Sequence, residues 1–233
     1  MIKLDVFYVH DTVFSMIVSI IEDNHTISKT FRNILGVREL KSQRIKENVS
    51  MALNSARLSE VACLLANKYN IDCIIETGTF LGNGTTASFA LTGLEVHSCE
   101  TNRQSYKKAL ENIGYLPHVF LSHANSLERK DLPVDWVKKI QIQNVADEQN
   151  WLPKILDEKK DQRVLLSLDS GGLNGQKEMR VALDAIKEHN NIKCMILDDL
   201  NSIKHKDSPK KIHEELNVDV YQVETRWGFV VID

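Results

Sequence analysis

Cys73-Ile74-Ile75-Glu76-Thr77-Gly78-Thr79-Phe80-Leu81-Gly82 is the stretch on which the reading of this chain turns. Cys73 to Ile75 is a short apolar run, read as a strand buried on both faces, and the run ends in an acid. Gly78 and Gly82 then open a turn before a helical stretch, Thr85 to Leu91. A glycine's missing Cβ lets backbone amides approach a ligand closely, and the helix that follows points its positive end at that ligand. The carboxylate of Glu76 narrows the choice of ligand, because it would repel a dinucleotide's pyrophosphate and tolerates a cationic group.

Outward from this stretch, apolar runs alternate with helical ones. Glu95 to Cys99, a helix from Arg103 to Ile113, and His118 to Ser122 come next, followed by Val164 to Leu168, a helix from Gln176 to His189, and Lys193 to Leu197. Alternation of this kind argues for a parallel sheet covered on both faces. Val220 to Val223 and Phe229 to Ile232, separated by Glu224-Thr225-Arg226-Trp227-Gly228, read as a closing antiparallel hairpin. The fold class is therefore α/β, a Rossmann-like, doubly wound sheet of mainly parallel strands with a C-terminal antiparallel hairpin. Residues 1–70 form a helical lead-in belonging to the same domain, with an apolar segment Val13 to Ile21 and an amphipathic one Ser42 to Tyr69, and residues 71–233 form the main domain. Asp131 to Gln162, with Trp136 and Trp151, is a polar and partly helical insertion.

Composition bounds the partners. The net charge of -3 supplies no global basic face, so nucleic acid is not expected. The basic run Lys204-His205-Lys206 with Lys210-Lys211 reads as a solvated loop or helix face. Cys63, Cys73, Cys99 and Cys194 show no metal spacing and read as small buried hydrophobes. With no signal-peptide pattern and no apolar stretch long enough to span a bilayer, a cytoplasmic protein without a membrane partner is the expectation.

Glu76-Thr77-Gly78-Thr79-Phe80-Leu81-Gly82 resembles the first cofactor motif of the class I S-adenosylmethionine (SAM)-dependent methyltransferases, in the form found in bacterial enzymes that methylate sugars and polysaccharides. The resemblance covers about residues 71–233 and implies that Glu76, Thr77, Gly78, Thr79, Phe80 and Gly82 form the SAM loop. It also implies that Glu100, at the end of the second strand, binds the ribose hydroxyls, and that Asn125 and Ser126 meet the adenine. The implied activity is O-methylation of a hydroxyl on a carbohydrate or small-molecule acceptor, and a homo-oligomer is the expected state.

Asp169 ends the fourth strand and Asp198-Asp199 end the fifth, so three acids converge on one crevice. Such a cluster needs positive charge, and Mg²⁺ is a natural occupant because it prefers carboxylate and water oxygens. The same acids could instead cap helices or bind an acceptor directly, without metal. Similarity to metal-dependent O-methyltransferases implies Asp169, Asp198 and Asp199 as metal ligands, with Asp169 also catalytic. Sugar-modifying relatives carry a histidine shortly after the fourth-strand acid, whereas here Ser170-Gly171-Gly172-Leu173 follows. The catalytic base is then sought in the loop after the fifth strand, at His205. A metal-dependent nucleotide-sugar transferase or phosphohydrolase, and a non-catalytic protein of the same fold, are the competing readings.

Overall fold

The computed structural model describes residues 55–128, 130, 146–171, 174–223 and 226–232. The expected apolar segment Val13 to Ile21, the start of the second lead-in segment and residues 131–145 of the insertion lie outside the described residues.

Within the described residues the amphipathic lead-in segment is helix α1 (Ser55–Lys68), and its stripe of Leu58, Val61, Ala62 and Leu65 is buried. After it, β1 (Cys73–Thr77), α2 (Thr85–Ala90), β2 (Glu95–Glu100), α3 (Arg103–Ile113) and β3 (Val119–His123) alternate. The chain continues through α4 (Trp151–Glu158), β4 (Val164–Leu168), α5 (Asn174–His189), β5 (Ile192–Leu197) and α6 (Ser208–Leu216), and ends in β6 (Val220–Gln222) and β7 (Gly228–Val231).

The strands form one sheet in the order β3-β2-β1-β4-β5-β7-β6. The first five are parallel to their neighbours, with Ile75 in register with His97 on one side and Leu166 on the other, while β7 is antiparallel to both β5 and β6. From β1 the chain winds outward to β3, then returns to the other side of β1 to lay down β4. That reversal makes the carboxyl ends of β1 and β4 the topological switch point, where an open α/β sheet leaves its ligand crevice.

Alternation along the strands fills two layers. Ile75, Leu166, Leu168 and Met195 share one apolar cluster with Leu152 and Leu156 of α4, Met179 and Leu183 of α5, and Ile212 of α6. Ile74, Leu165, Cys194 and Ile196 are equally buried and, by strand alternation, point to the opposite face. The expected doubly wound sheet and antiparallel end are both present, and all four cysteines are buried and free.

Three differences from the sequence expectation bear on the site. β1 runs on to Thr77, α5 begins at Asn174, two residues before the expected Gln176, and α6 is an additional helix. Proline at the first turn of α6 suits a position whose N–H lacks an intrahelical acceptor. Among the described residues of the insertion α4 is helical, and its buried face of Trp151, Leu152, Ile155 and Leu156 shows that this part belongs to the core.

Leu166→Ala, at a fully buried position of β4, is expected to destabilise the fold by about 2–5 kcal/mol. Leu110→Ala, at a position 42% exposed on α3, should stay within about 0.5 kcal/mol. Urea unfolding of the two variants checks the difference.

Candidate active site

Most of the motif loop's side chains face inward. Glu76 is fully buried, and its Oε2 accepts hydrogen bonds from Thr86 of α2 (2.5 Å) and Ser98 of β2 (2.6 Å). Because Ser98 spends its hydroxyl hydrogen on Glu76, Thr79 donates to Ser98, 2.6 Å away. Glu76 therefore ties the loop to β2 and α2 from beneath. Burial pushes its pKa up to about 7, against the two hydroxyl bonds, and its Oε1 has no partner among the described residues.

The two glycines serve different contacts. Gly78 has φ +88°, and a Cβ there would lie 2.8 Å from the carbonyl oxygen of Asp169, so the loop passes directly against the end of β4. Gly82 has φ +74°, and its Cβ would collide with Ile113 of α3, so its smallness serves helix packing. Phe80 also adopts a positive φ, +51°, which is uncommon for a bulky residue. Its N–H donates to Glu100 Oε2 (2.8 Å) while the ring stays 65% exposed.

A cavity opens at the switch point. Of the residues expected to bind cofactor, Gly78, Glu100, Asn125 and Ser126 line it. Glu76, Thr77, Thr79, Phe80 and Gly82 do not, and act as supports or lie outside it. Thr101, Ser170, Gly171 and Asn174 are lining residues that the sequence did not single out. Glu100 accepts the N–H groups of Phe80 and Asn102 (2.7 Å) on separate oxygens, which fixes the carboxylate at the cavity wall; burial raises its pKa and these backbone bonds oppose the rise. Asn125 accepts a bond from Thr101 and donates to the Ala146 carbonyl (3.1 Å), joining the end of β3 to the chain returning from the insertion.

The cavity wall is held by a carboxylate that the sequence reading missed. Glu178 of α5 is fully buried and accepts from Thr77 Oγ1 (2.9 Å) and Asn174 Nδ2 (3.1 Å), with Ser126 and Ser170 also hydrogen-bonded to it. Asn174 also donates to Ser126 Oγ (3.0 Å). One buried acid thus gathers the ends of β1, β3 and β4 with the first turn of α5. Burial raises its pKa, and bonds from Ser126, Ser170 and Thr77 work against that rise. The available signal was its position on the buried stripe of α5 with Met179, Ala182 and Ile186.

Asp169, Asp198 and Asp199 converge as expected, but their charge is met from within the chain. Lys204 Nζ lies 2.9 Å from Asp169 Oδ1, 3.8 Å from Asp198 Oδ2 and 4.0 Å from Asp199 Oδ2. Arg226 grips both oxygens of Asp198 (2.9 and 2.7 Å) and reaches Asp199 (2.9 Å). Asp169 and Asp198 are also hydrogen-bonded to each other. Burial drives Asp169 well above the carboxylate range against the pull of Lys204, with Asp198 adding to the rise. Asp198 is also buried, but its bonds from Asp169 and Arg226 hold it below that range.

This arrangement does not fit a divalent ion. An ion such as Mg²⁺ needs oxygen ligands at about 2.0–2.1 Å, and an ammonium stands where they converge. Among the described residues, no group of three potential ligand side chains is arranged to hold a metal. Asp169, Asp198 and Asp199, expected to hold magnesium, are ion-paired with Lys204 and Arg226. His205, the expected base, is fully buried, its Nδ1 bonded to Ser208 Oγ (3.0 Å) and its Nε2 to the Leu168 carbonyl (3.3 Å), and burial followed by the adjacent Lys204 charge lowers its pKa to about 4. It secures the loop after β5 and is not among the residues lining the cavity. The expected solvated run at 204–206 is exposed only at Lys206.

No family model and no curated protein matches the chain. Among solved structures it is similar to a Staphylococcus aureus protein assigned as a caffeoyl-CoA O-methyltransferase (11% identity, 96% of this chain and 100% of that one, TM-score 0.49). It is also similar to an S-adenosylhomocysteine-bound methyltransferase from Podospora anserina (10% identity, 99% and 100%, TM-score 0.47). A third is the O-methyltransferase from Bacillus cereus in complex with S-adenosylhomocysteine (12% identity, 95% and 97%, TM-score 0.47).

The raised pKa of Glu76 has a signed consequence. The folded state holds this proton up to about pH 7, whereas the unfolded chain releases it near 4.5. Stability associated with the group is thus intact below about pH 4.5 and lost as pH rises through about 7. Glu76→Gln removes that titration, so the variant should gain on the wild type by up to about 3 kcal/mol between those limits. Denaturant unfolding across this range should show the gap widening with pH, and a pH-independent gap would contradict the assignment.

Proposed function

We propose that the chain binds SAM in the switch-point cavity and transfers its methyl group to a hydroxyl of a carbohydrate or small-molecule acceptor. The observation that carries the reading is Glu100: a carboxylate at the end of β2, fixed by two backbone N–H groups, on the wall of a cavity that Gly78 also lines. A carboxylate has more lone pairs than those two bonds use, so it can still accept hydroxyls of a ribose. The resemblance of Glu76 to Gly82 to enzymes that methylate sugars supports the choice of acceptor.

When bound, SAM would supply an electrophilic methyl group to the acceptor oxygen, with S-adenosylhomocysteine as the leaving group and the hydroxyl proton released. The proton released from the hydroxyl needs an acceptor near the cavity. Asp169 is the candidate, being partly exposed, adjacent through its backbone to Gly78, and held by Lys204 on one oxygen and Thr85 on the other (3.2 Å). A sulfonium bound in the cavity would favour the ionised form of Asp169, the form able to take that proton. A phosphate-binding reading has less support, since no Lys or Arg lines the cavity among the described residues.

Isothermal titration with S-adenosylhomocysteine tests the proposal. Wild-type protein should bind, and Glu100→Gln, which loses the charge, should bind at least about tenfold more weakly. Undiminished affinity in the variant would remove Glu100 from the site, and a folded wild type that binds neither S-adenosylhomocysteine nor SAM would overturn the reading.

A further inference from the structure

We propose that Lys204 is a built-in cation occupying the place of a divalent metal, so that the acidic end of the sheet works without a metal ion. The inference deepens the methyltransferase reading, but it rests on charge geometry that does not depend on the cofactor.

An ammonium is costly to bury unless it is paired and hydrogen-bonded. Lys204 is 1% exposed, and its Nζ is within 4.0 Å of carboxylate oxygens from Asp169, Asp198 and Asp199. Lysine usually keeps its charge in water by extending its stem, which makes this inward placement a demand on its surroundings. Two features answer that demand. Gly175 sits in the first turn of α5, where glycine weakens a helix, and a Cβ there would come within 2.7 Å of Lys204 Cγ and 3.1 Å of His205 Nε2. His205 is in turn clamped between Ser208 and the carbonyl of Leu168, the last residue of β4. Gly175 clears the path for the lysine stem, and His205 holds the adjoining backbone against the sheet.

Charge accounting agrees. Among the described residues the three carboxyls face two cations, Lys204 within 4.0 Å of all three and Arg226 on Asp198 and Asp199. A divalent ion added to this set would have to displace Lys204 into solvent or stand beside a buried ammonium, and both are unfavourable. Removing the ammonium leaves the carboxyls with Arg226 as their one cation among the described residues, and a hard divalent cation then becomes a suitable counter-ion.

Mn²⁺ titration followed by the electron paramagnetic resonance signal of free ion tests this directly. Wild-type protein should show no Mn²⁺ binding that depends on Asp169, whereas Lys204→Met and Lys204→Gln should each bind Mn²⁺ at least about tenfold more tightly than wild type. Wild-type binding that Asp169→Asn abolishes would overturn the proposal, as would folded Lys204 variants with no gain. If both variants fail to fold, wild-type melting temperature with excess Mg²⁺ against EDTA still decides: no shift is expected, and a rise with Mg²⁺ that Asp169→Asn abolishes would overturn the proposal.

Discussion

The contact between Gly78 and Asp169 sets the geometry on which the candidate site depends. A backbone passing so close that a Cβ would sit 2.8 Å from the neighbouring carbonyl leaves no room for any residue but glycine. The N–H of Asp169 then bonds the carbonyl of Thr77 (3.1 Å), extending the β1–β4 pairing one residue past the strands. This joint brings the motif loop, the acidic end of β4 and the first turn of α5 around one cavity. An open sheet would form a crevice at this point in any case, and the joint decides which side chains border it.

Around that joint, buried carboxyls do most of the organising, each satisfied in its own way. Glu76 is met by hydroxyls from β2 and α2, and Glu178 by hydroxyls and an amide from four separate segments. Glu100 takes backbone N–H groups, and the aspartates at the ends of β4 and β5 take Lys204 and Arg226. Removing a donor from such a network leaves an unsatisfied buried group, which generally costs more than the bond contributed. The architecture is therefore least tolerant of change at positions that touch no ligand. Thr77, for instance, uses its hydroxyl to link Glu178 with the N–H of Asp169.

The sequence carried the strands and the loop clearly, because their signals are local: apolar runs of the right length, glycines at turns and acids at strand ends. Gly78, Glu100, Asn125 and Ser126 were recognisable for the same reason. Less legible were residues whose role depends on distant partners. Glu178 reads as an ordinary charged residue of a helix until Thr77, 101 residues earlier, is seen beside it. Lys204 and His205 looked like part of a solvated basic run, since nothing local reveals that Gly175 makes space for them. The aspartate cluster showed that positive charge was required, and the spacing of the acids could not say whether that charge was a metal or a lysine further along the chain. Gly82 and Thr79 show a related limit, because the Ile113 and Ser98 contacts they make come from distant segments that the motif does not reveal.

The most direct measurement is a crystal structure of the protein grown with S-adenosylhomocysteine and Mg²⁺. The account predicts the ligand in the cavity lined by Gly78, Glu100 and Asn125, with its ribose hydroxyls on Glu100, and Lys204 still bonded to Asp169 with no metal between them. A ligand bound elsewhere, or a metal ion coordinated by Asp169, Asp198 and Asp199 with Lys204 displaced, would contradict it.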